Sequence, residues 1–515
     1  MVFRKRSGAG IKLTYAWTVF GPLRLAQRRK VLKGGTLILT EGQLSRFGFG
    51  LRVSVLLMAA ISPVALAQGN GTTTRTFTLE QAVDFALKNY PAVRASLERV
   101  SGAQAGVSVV RTEYLPRADM LWQGNRATGN NIFGLLLPQS TLPSISGPVL
   151  STTSNAGVWG SAAGLLFSWE PFDFGRREAE VTAARATQNR ANAEVSVTRL
   201  DVAVATVNAY LTLFAAEQTV RIAEADVSRR QVFARSVNVL VENQLRAGAE
   251  GSRANAELAR AKANLARAVQ QQEITRAALA NILGVADATI EIREGPLTGP
   301  PPNTTSPAPQ ISDHPLAKAQ QLRVDEFLSR AKVFDRTYYP KFDLQSALYG
   351  RGTGANTDGT FGGGTTGLDL QRFNWAAGLT VTFHAFDIFY LRDKKAVEMA
   401  NERAESARYD QTIQDLTGQV RKAKASLEGA RSVAEATPVE LKAARDTELQ
   451  ERARYQAGLA TIVEVSEAQS LLVQAEIDDV LARLAVWQNL AGVAASQGDL
   501  EPFIQLVVQK TQGGP

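Results

Sequence analysis

The sequence predicts an α+β membrane protein in which long α-helical coiled-coil segments carry four short β-strands per chain. Three observations predict this class. The chain starts with an export-type segment, it has two runs of about 70 residues with helical character, and its short strands alternate large apolar with small or polar residues. The same plan occurs twice along the 515 residues. The chain is therefore expected to contain two internal structural repeats.

Residues 1–67 are predicted to be a basic prefix followed by a secretory signal peptide. They hold 11 Lys or Arg and one acidic residue, whereas the rest of the chain has 46 basic and 48 acidic residues. The net charge of +8 thus belongs to the N-terminus, and we expect no binding of nucleic acid by the body of the protein. The apolar residues 53–65 precede Ala65-Leu66-Ala67, which predicts cleavage after Ala67.

A single membrane anchor is the alternative interpretation of that apolar segment. It is shorter than the roughly 20 residues that a spanning helix needs. No later stretch has 18 consecutive apolar residues. We therefore expect no spanning helix in the mature chain, and any part that enters a membrane should do so as a β-barrel.

The chain has no Cys and two His. This composition excludes a disulfide framework, thiolate metal ligands and a cysteine nucleophile, and it leaves little room for histidine chemistry. We expect no catalytic residue, no metal site and no cofactor, so an enzyme is the least favoured class.

Repeat 1 is predicted over 77–284 and repeat 2 over 314–500, with a Pro-rich linker at 285–313 and a tail at 501–515. Five landmarks recur at offsets of 224, 224, 214, 210 and 208 residues. They pair Asn89-Tyr90-Pro91 with Asp313-His314-Pro315, Tyr114-Leu115-Pro116 with Tyr338-Tyr339-Pro340, Phe172-Asp173-Phe174 with Phe386-Asp387-Ile388, Arg246-Ala247-Gly248 with Gln456-Ala457-Gly458, and Leu283-Gly284-Val285 with Ala491-Gly492-Val493. The linker composition excludes helix and central strand.

Each half is predicted to run helix, strand, loop, strand, very long helix, glycine turn and return helix. The first helical stretch covers 79–113, and the long helices cover 175–247 and 389–457. Pro438 should kink or break the second long helix. At 1.5 Å per residue the two long helices would measure about 110 and 104 Å.

The shorter helices are expected to stack end to end beside the long ones. Residues 252–283 with 315–338 match the length of one long helix, and residues 461–497 with 79–113 match another. The result would be a bundle about 100 Å long, too elongated for a compact enzyme.

The alternating strands are predicted to form part of a membrane barrel. One side of the last strand carries Trp375, Ala377, Leu379, Val381 and Phe383, and its other side is small or polar. A soluble half-buried sheet alternates equally well, but the export signal and the long helices favour the barrel. Four strands cannot close a barrel, since the smallest have about eight. Three chains would supply twelve strands, which predicts a homotrimer.

At this point the residues resemble the TolC family of outer-membrane efflux proteins. The resemblance rests on the duplicated plan, on Phe172-Asp173-Phe174-Gly175-Arg176-Arg177 at the start of the first long helix, and on Tyr455, Gly458 and Thr461-Ile462-Val463-Glu464-Val465 at the second turn. It covers residues 77–500. It implies a homotrimer with a 12-stranded barrel in the outer membrane and a periplasmic α-helical tunnel. It also implies a periplasmic adaptor (membrane fusion) protein and an inner-membrane pump of the RND, MFS or ABC class as partners.

Gly248 and Gly458 each follow a long helix, and glycine there supplies the left-handed residue that ends a helix. Both turns should lie about 100 Å from the strands. We therefore expect Gly248, Gly458 and Thr461 to mark turns, at 245–252 and 455–461, around which an adaptor packs. A plain helical hairpin without a partner is the alternative.

The resemblance places Glu464, Glu467 and Tyr455 at the periplasmic entrance. Glu464 and Glu467 are three residues apart and share a helix face, so three chains would bring six carboxylates together. The alternative for Glu464 is a capping box with Thr461. The Arg that the family pairs with the residue at Tyr455 is Ala460 here, and Ala254 and Asn255 stand where an acid is expected in the first half. The closing contacts should therefore differ or be weaker.

The predicted function is a trimeric outer-membrane channel. It would export small molecules or proteins from the periplasm or an inner-membrane pump to the exterior, within a tripartite efflux or type I secretion system. The alternative is a periplasmic coiled-coil structural or adaptor protein without a pore. The two strand pairs discriminate, because an adaptor hairpin would not place them between its helices.

Overall fold

The computed structural model describes residues 74–128, 155–293, 295–299, 310–356 and 358–512. The predicted basic prefix and signal peptide at 1–67 lie outside the described residues, as does most of the proline-rich part of the linker.

Eight helices and six strands are present in the described part of the chain. The helices are α1 (Leu79–Asn89), α2 (Pro91–Thr112), α3 (Arg176–Glu242), α4 (Gly248–Ile282), α5 (Pro315–Thr337), α6 (Asp387–Gln456), α7 (Ile462–Ser496) and α8 (Glu501–Gln512). The strands are β1 (Thr74–Phe77), β2 (Arg117–Thr128), β3 (Gly157–Phe172), β4 (Thr289–Ile292), β5 (Lys341–Thr353) and β6 (Arg372–Thr382).

The two long helices α3 and α6 have 67 and 70 residues, or about 100 and 105 Å. Next to the large sheet, the helices lie side by side in the order α2, α3, α5, α6. At the other end, where α4 and α7 return, the order is α4, α3, α7, α6. As predicted, α4 and α5 both lie along α3. The second predicted pairing is wrong in part, because α7 lies along α6 whereas α1 and α2 pack on α3.

The large sheet is antiparallel with the strand order β2, β3, β5, β6. Each strand continues directly into one of the helices of the adjoining layer, so strands and helices share one order. In the described residues, β2 and β6 each pair on one side only. Both therefore present an unpaired backbone edge.

One face of this sheet is apolar and exposed. Met120, Leu165, Leu348 and Trp375 form a row across all four strands. Met120 is 86% exposed and Trp375 is 76% exposed. Further exposed apolar residues on the same face are Trp122, Phe167, Trp169, Leu344, Phe373, Leu379 and Val381. An apolar patch of this extent is not covered by any described element of the chain, and such patches mark membrane or protein contacts.

A second, parallel sheet joins β1 to β4 beside the middle of the helical body. The Tyr210 hydroxyl lies 2.7 Å from the carbonyl oxygen of Arg293 and 3.2 Å from that of Phe77, so α3 fixes the ends of both strands. Trp487 of α7 is fully buried in the same core and packs edge-to-face on Phe503 of α8. This core makes the middle of the body its best-packed region.

Several local predictions need correction. The predicted helix 79–113 is broken at Tyr90, which is extended because the next residue is Pro91. In contrast, α6 runs unbroken through Pro438. The predicted linker contains β4, whose residues precede the prolines. The predicted tail forms α8, which lies on α1 and α7 through Phe503 and neighbouring apolar residues.

The search for membrane helices returns α3. An 18-residue window in it has a mean hydropathy of 1.3, and half of that window is buried. By length and composition this helix could cross a membrane, which counting consecutive apolar residues did not predict. Its buried residues, among them Val207, Leu211 and Phe214, pack in the central core. A buried core helix passes the same hydropathy test.

Candidate functional site at the helical turns

The two helical turns end their long helices in the same way. Leu245 N donates to the Leu240 carbonyl and Leu459 N donates to the Arg454 carbonyl, both at 2.8 Å. These are the closing bonds of a Schellman motif, which needs one left-handed residue. In the second turn that residue is Gly458, with φ of 76°, as predicted.

The prediction for Gly248 is wrong. The left-handed residue of the first turn is Gln244, with φ of 58°, and Gly248 is the first residue of α4. The landmark pairing that offset these turns by 210 residues is therefore four residues out of step.

An offset of 214 residues aligns the two halves from these turns onward. Gln244 and Gly458 are equivalent, as are the N-cap residues Ala247 and Thr461. The same offset relates Gly284 to Gly498, both left-handed at the end of a return helix. The predicted pairing of Gly284 with Gly492 is wrong, because Gly492 lies inside α7.

Tyr455 joins the two turns. Its hydroxyl donates to Oε2 of Glu250 at 2.6 Å, and its carbonyl oxygen accepts from Nη2 of Arg246 at 3.0 Å. The Arg246 guanidinium also lies 4.6 Å from the centre of the Tyr455 ring. Tyr455 is 3% exposed and packs on Phe233 of α3. One side chain of the second hairpin is thereby held by two residues of the first.

Burial raises the pKa of Tyr455 to about 12, and the neighbouring Glu250 carboxylate raises it further. The hydroxyl is therefore protonated at neutral pH and remains a donor. A hydrogen bond to a charged acceptor contributes about 1.5–3 kcal/mol. Ala460, where the resembling family has Arg, is buried in the same apolar cluster. The closing contacts thus differ from the expected ones, and Arg246 with Glu250 takes part in them.

Glu464 makes the contacts of the capping alternative. Its Oε2 accepts from Thr461 N at 2.5 Å and from Thr461 Oγ1 at 2.9 Å, while Glu464 N donates to Thr461 Oγ1 at 3.5 Å. These bonds from Thr461 lower the pKa of Glu464. Within one chain the direction is opposite to the upward shift expected of crowded carboxylates.

Glu467 lies one turn further along α7 and is exposed. The structure thus brings Tyr455, Gly458, Thr461 and Glu464 together at one turn. Tyr455 reaches across to the first hairpin beside Gly248. Ala254 is buried in the apolar cluster of the turns, and Asn255 pairs with Asn238 at 3.1 Å.

Sequence reasoning missed Arg246 and Glu250. Glu250 is the third residue of α4, as Glu464 is of α7. The two glutamates are equivalent at the offset of 214 residues, so a correct alignment of the halves would have identified the acid of the first half. Thr461 engages Glu464, whereas Ala247 has no side-chain acceptor or donor, which leaves Glu250 available to Tyr455.

Ion pairs above the turns tie α7 to the first hairpin. Arg229 binds both carboxylate oxygens of Glu476, at 2.8 and 3.3 Å. The buried Arg230 binds Asp226 of its own helix, Glu257 of α4 at 3.1 Å and Ser470 of α7 at 3.1 Å. A planar guanidinium suits such multiple contacts. Among the residues that the structure describes, no cluster of three His, Asp or Glu could hold a metal ion.

Comparison with known proteins places this architecture. The family model described as "Outer membrane efflux protein" matches residues 82–285 and 311–499. Protein CyaE of Bordetella pertussis is 27% identical over 431 residues, which are 82% of this chain and 84% of that protein.

Two solved structures share the fold. The outer membrane protein VceC of Vibrio cholerae superposes with a TM-score of 0.63 at 19% identity, over 82% of this chain and 97% of VceC. CusC superposes with a TM-score of 0.67 at 15% identity, over 82% of this chain and 92% of CusC. The family match covers both repeats. This chain therefore belongs to the outer membrane efflux protein family, and it is a channel protein of the outer membrane with a periplasmic helical part, not an enzyme.

Proposed function

We propose that three copies of this chain close a 12-stranded barrel that continues into a 12-helix periplasmic tunnel. One observation carries the proposal. The sheet and the helical layer have the same lateral order, and both end at open edges on the same elements. An edge strand in a bilayer must be paired, because no water satisfies its backbone there. Pairing β6 of one copy with β2 of the next satisfies both edges.

The exposed apolar face of the sheet supports a lipid-facing barrel wall. Trp375 and Phe373 are 76% and 78% exposed in the single chain. A closed barrel turns these side chains towards outer-membrane lipid and the polar face towards the lumen. The predicted signal peptide at 1–67 would deliver the chain across the inner membrane.

The helical turns are proposed to dock a periplasmic adaptor, which in turn recruits an inner-membrane pump of the RND, MFS or ABC class. Leu245 is 68% exposed and Leu459 is 71% exposed. They occupy equivalent positions, each just after the left-handed residue of its turn. An apolar residue there ordinarily packs back on its own helix. Their exposure supports an apolar contact with a partner around 245–252 and 455–461.

The Tyr455–Glu250 contact is proposed to hold the periplasmic entrance closed. The entrance includes Glu464 and Glu467, which three copies multiply to six carboxylates. Opening would separate the two hairpins of each chain, and the contacts of Tyr455 resist that separation. The cargo would be small molecules or proteins handed over by the pump.

The experiment is to purify the full chain in detergent, measure its mass, and record it in planar bilayers. A mass of three chains and discrete conductance steps are expected. A well-folded monomer with full strand content would contradict the barrel. A soluble periplasmic fraction without conductance would favour the coiled-coil protein without a pore.

A further inference from the structure

A row of hydrogen-bond donors crosses the polar face of the large sheet near its loop end. Gln123 of β2 lies opposite Ala162 of β3, Ala162 lies opposite Arg351 of β5, and Arg351 lies opposite Arg372 of β6. The four residues are cross-strand neighbours, so their side chains stand on the same face. We call this set the donor row.

Two cations are direct neighbours in the donor row. Like charges directly opposite each other destabilise a strand pair. Arg351 Nη1 is buried and has no hydrogen-bond partner, and the same is true of Gln123 Nε2. Ala162, between them, is small and 1% exposed. The row thus presents donors without an acceptor, and buried donors left unpaired cost about 1–3 kcal/mol each, more when charged.

Carboxylates of the same face lie far from the row. Asp343 is eight residues back along β5 from Arg351, about 26 Å away at strand spacing. Asp119 lies four residues from Gln123 and forms an ion pair with Arg117 at 2.9 Å.

The two acidic residues of the loop that follows β5 are engaged locally. Asp358 accepts hydrogen bonds from the backbone and hydroxyl of Thr360, at 2.9 and 2.6 Å. Asp369 accepts from Gly367 N and from Gln371 Nε2, both at 3.4 Å. Residues 129–154, which join β2 to β3, contain no charged residue in their sequence. The end of the sheet at which these loops attach is therefore basic on its polar face.

We propose that the donor row binds oxyanions and selects anionic cargo at the exit of the channel. Guanidinium groups and amide donors match the oxygens of carboxylates and phosphates, and an arginine ring favours anions in a pore. This inference rests on the proposed barrel, in which three copies place six Arg and three Gln around the lumen. It names the chemical class of the cargo as one that carries carboxylate or phosphate groups.

The first test measures binding without a membrane. Inorganic pyrophosphate is titrated into the detergent-solubilised full chain by calorimetry. The double variant Arg351→Gln with Arg372→Gln is expected to weaken the dissociation constant about tenfold or more, the loss of two charge-assisted contacts. Arg126→Gln is the matched control. Arg126 is at the same end of the sheet but on the opposite face, 5.4 Å from the Trp159 ring, and its loss should change the dissociation constant less than about twofold.

The second test measures ion selectivity from reversal potentials in a KCl gradient across a planar bilayer. The permeability ratio of chloride to potassium should fall at least about threefold in the double variant and stay unchanged in Arg126→Gln. Arg372 is exposed, so Arg372→Gln alone keeps the fold and should give an intermediate ratio. The mass of each variant in detergent checks assembly.

The outcomes separate the two proposals. Pyrophosphate binding that depends on the arginines, in a protein that does not conduct, would support the anion site and overturn the proposed channel. A conducting protein whose selectivity and pyrophosphate affinity survive the double substitution would overturn the anion site and leave the channel standing. Equal losses in the double variant and in Arg126→Gln would also overturn it, because net charge alone would then explain the effect.

Discussion

Tyr455 and Glu250 are 205 residues apart in sequence, and their side chains are joined by a hydrogen bond of 2.6 Å. Tyr455 is the penultimate residue of α6 and Glu250 lies in the first turn of α4. The contact therefore links the two helical hairpins of one chain at the end furthest from the sheet. Any movement that separates the hairpins at their turns must break it.

Removing this contact should favour the open entrance. Tyr455→Phe keeps the buried ring and loses only the hydroxyl, and a hydrogen bond to a charged group contributes about 1.5–3 kcal/mol. The open population should rise by about tenfold or more, which single-channel recording detects as longer openings or larger steps. Glu250→Gln should give a smaller effect of the same sign. Tyr409→Phe, in the middle of α6, is the matched control, and a parent-like Tyr455→Phe channel would refute the role.

The acidic entrance is tested by cation block. Three copies would bring Glu464 and Glu467 together in the tunnel, and such a ring binds di- and trivalent cations. Glu464→Gln with Glu467→Gln should weaken block by a trivalent cation about tenfold or more. Glu476→Gln, which alters the contact with Arg229, is the control for a general loss of charge. Unchanged block in the double variant would leave Glu464 as a helix cap only.

The two turn glycines should respond in opposite ways to alanine. Gly458 has φ of 76°, so Gly458→Ala forces a left-handed alanine and should destabilise the chain by about 1–2 kcal/mol. Gly248 is helical and nothing lies within 4 Å of an added Cβ. Gly248→Ala should be neutral or stabilise by up to about 1 kcal/mol. Thermal unfolding in detergent measures both, and equal destabilisation would contradict the assignment of Gln244 as the left-handed residue.

His314 should make stability depend on acid pH. Its Nδ1 accepts a hydrogen bond from Leu316 N at 3.1 Å and caps α5, and burial lowers its pKa below the ordinary value of 6.5. Between that lowered pKa and 6.5 the unfolded chain binds more protons, so stability falls as the pH drops below about 6.5. His314→Asn keeps an N-cap without a titrating ring. The melting temperature of the parent, but not of this variant, should lose this component between pH 7 and pH 5. A parallel decline in both proteins would assign the acid sensitivity to other groups.

Adaptor docking is tested by crosslinking. A photoreactive residue at Leu245 or Leu459 should give a crosslink to a co-expressed adaptor, because both side chains are exposed at the turns. The same residue at Met120, exposed on the apolar face of the sheet, is the control and should not give one. Crosslinks from Met120 alone would reverse the proposed orientation.

The sequence by itself determined the elements that have strong local signals. Long runs without glycine or proline predicted α3, alternation predicted the strands of the large sheet, and His314 before Pro315 predicted the start of α5. Landmarks in both halves indicated the repeat. These features depend on periodicity and on backbone chemistry within a few residues, which a single sequence displays.

Only the tertiary structure decided where the halves align and what meets at the turns. Gln244 takes a left-handed conformation that favours glycine because the bonds that close the turn fix it, so the nearby Gly248 was misleading. Whether Glu464 turns back to its own cap while the equivalent Glu250 reaches Tyr455 depends on the packing of two hairpins that are distant in sequence. The proline at 438 does not break α6, since contacts along α7 and α5 hold the helix on both sides. Such contacts join residues more than 200 positions apart, and no local pattern encodes them.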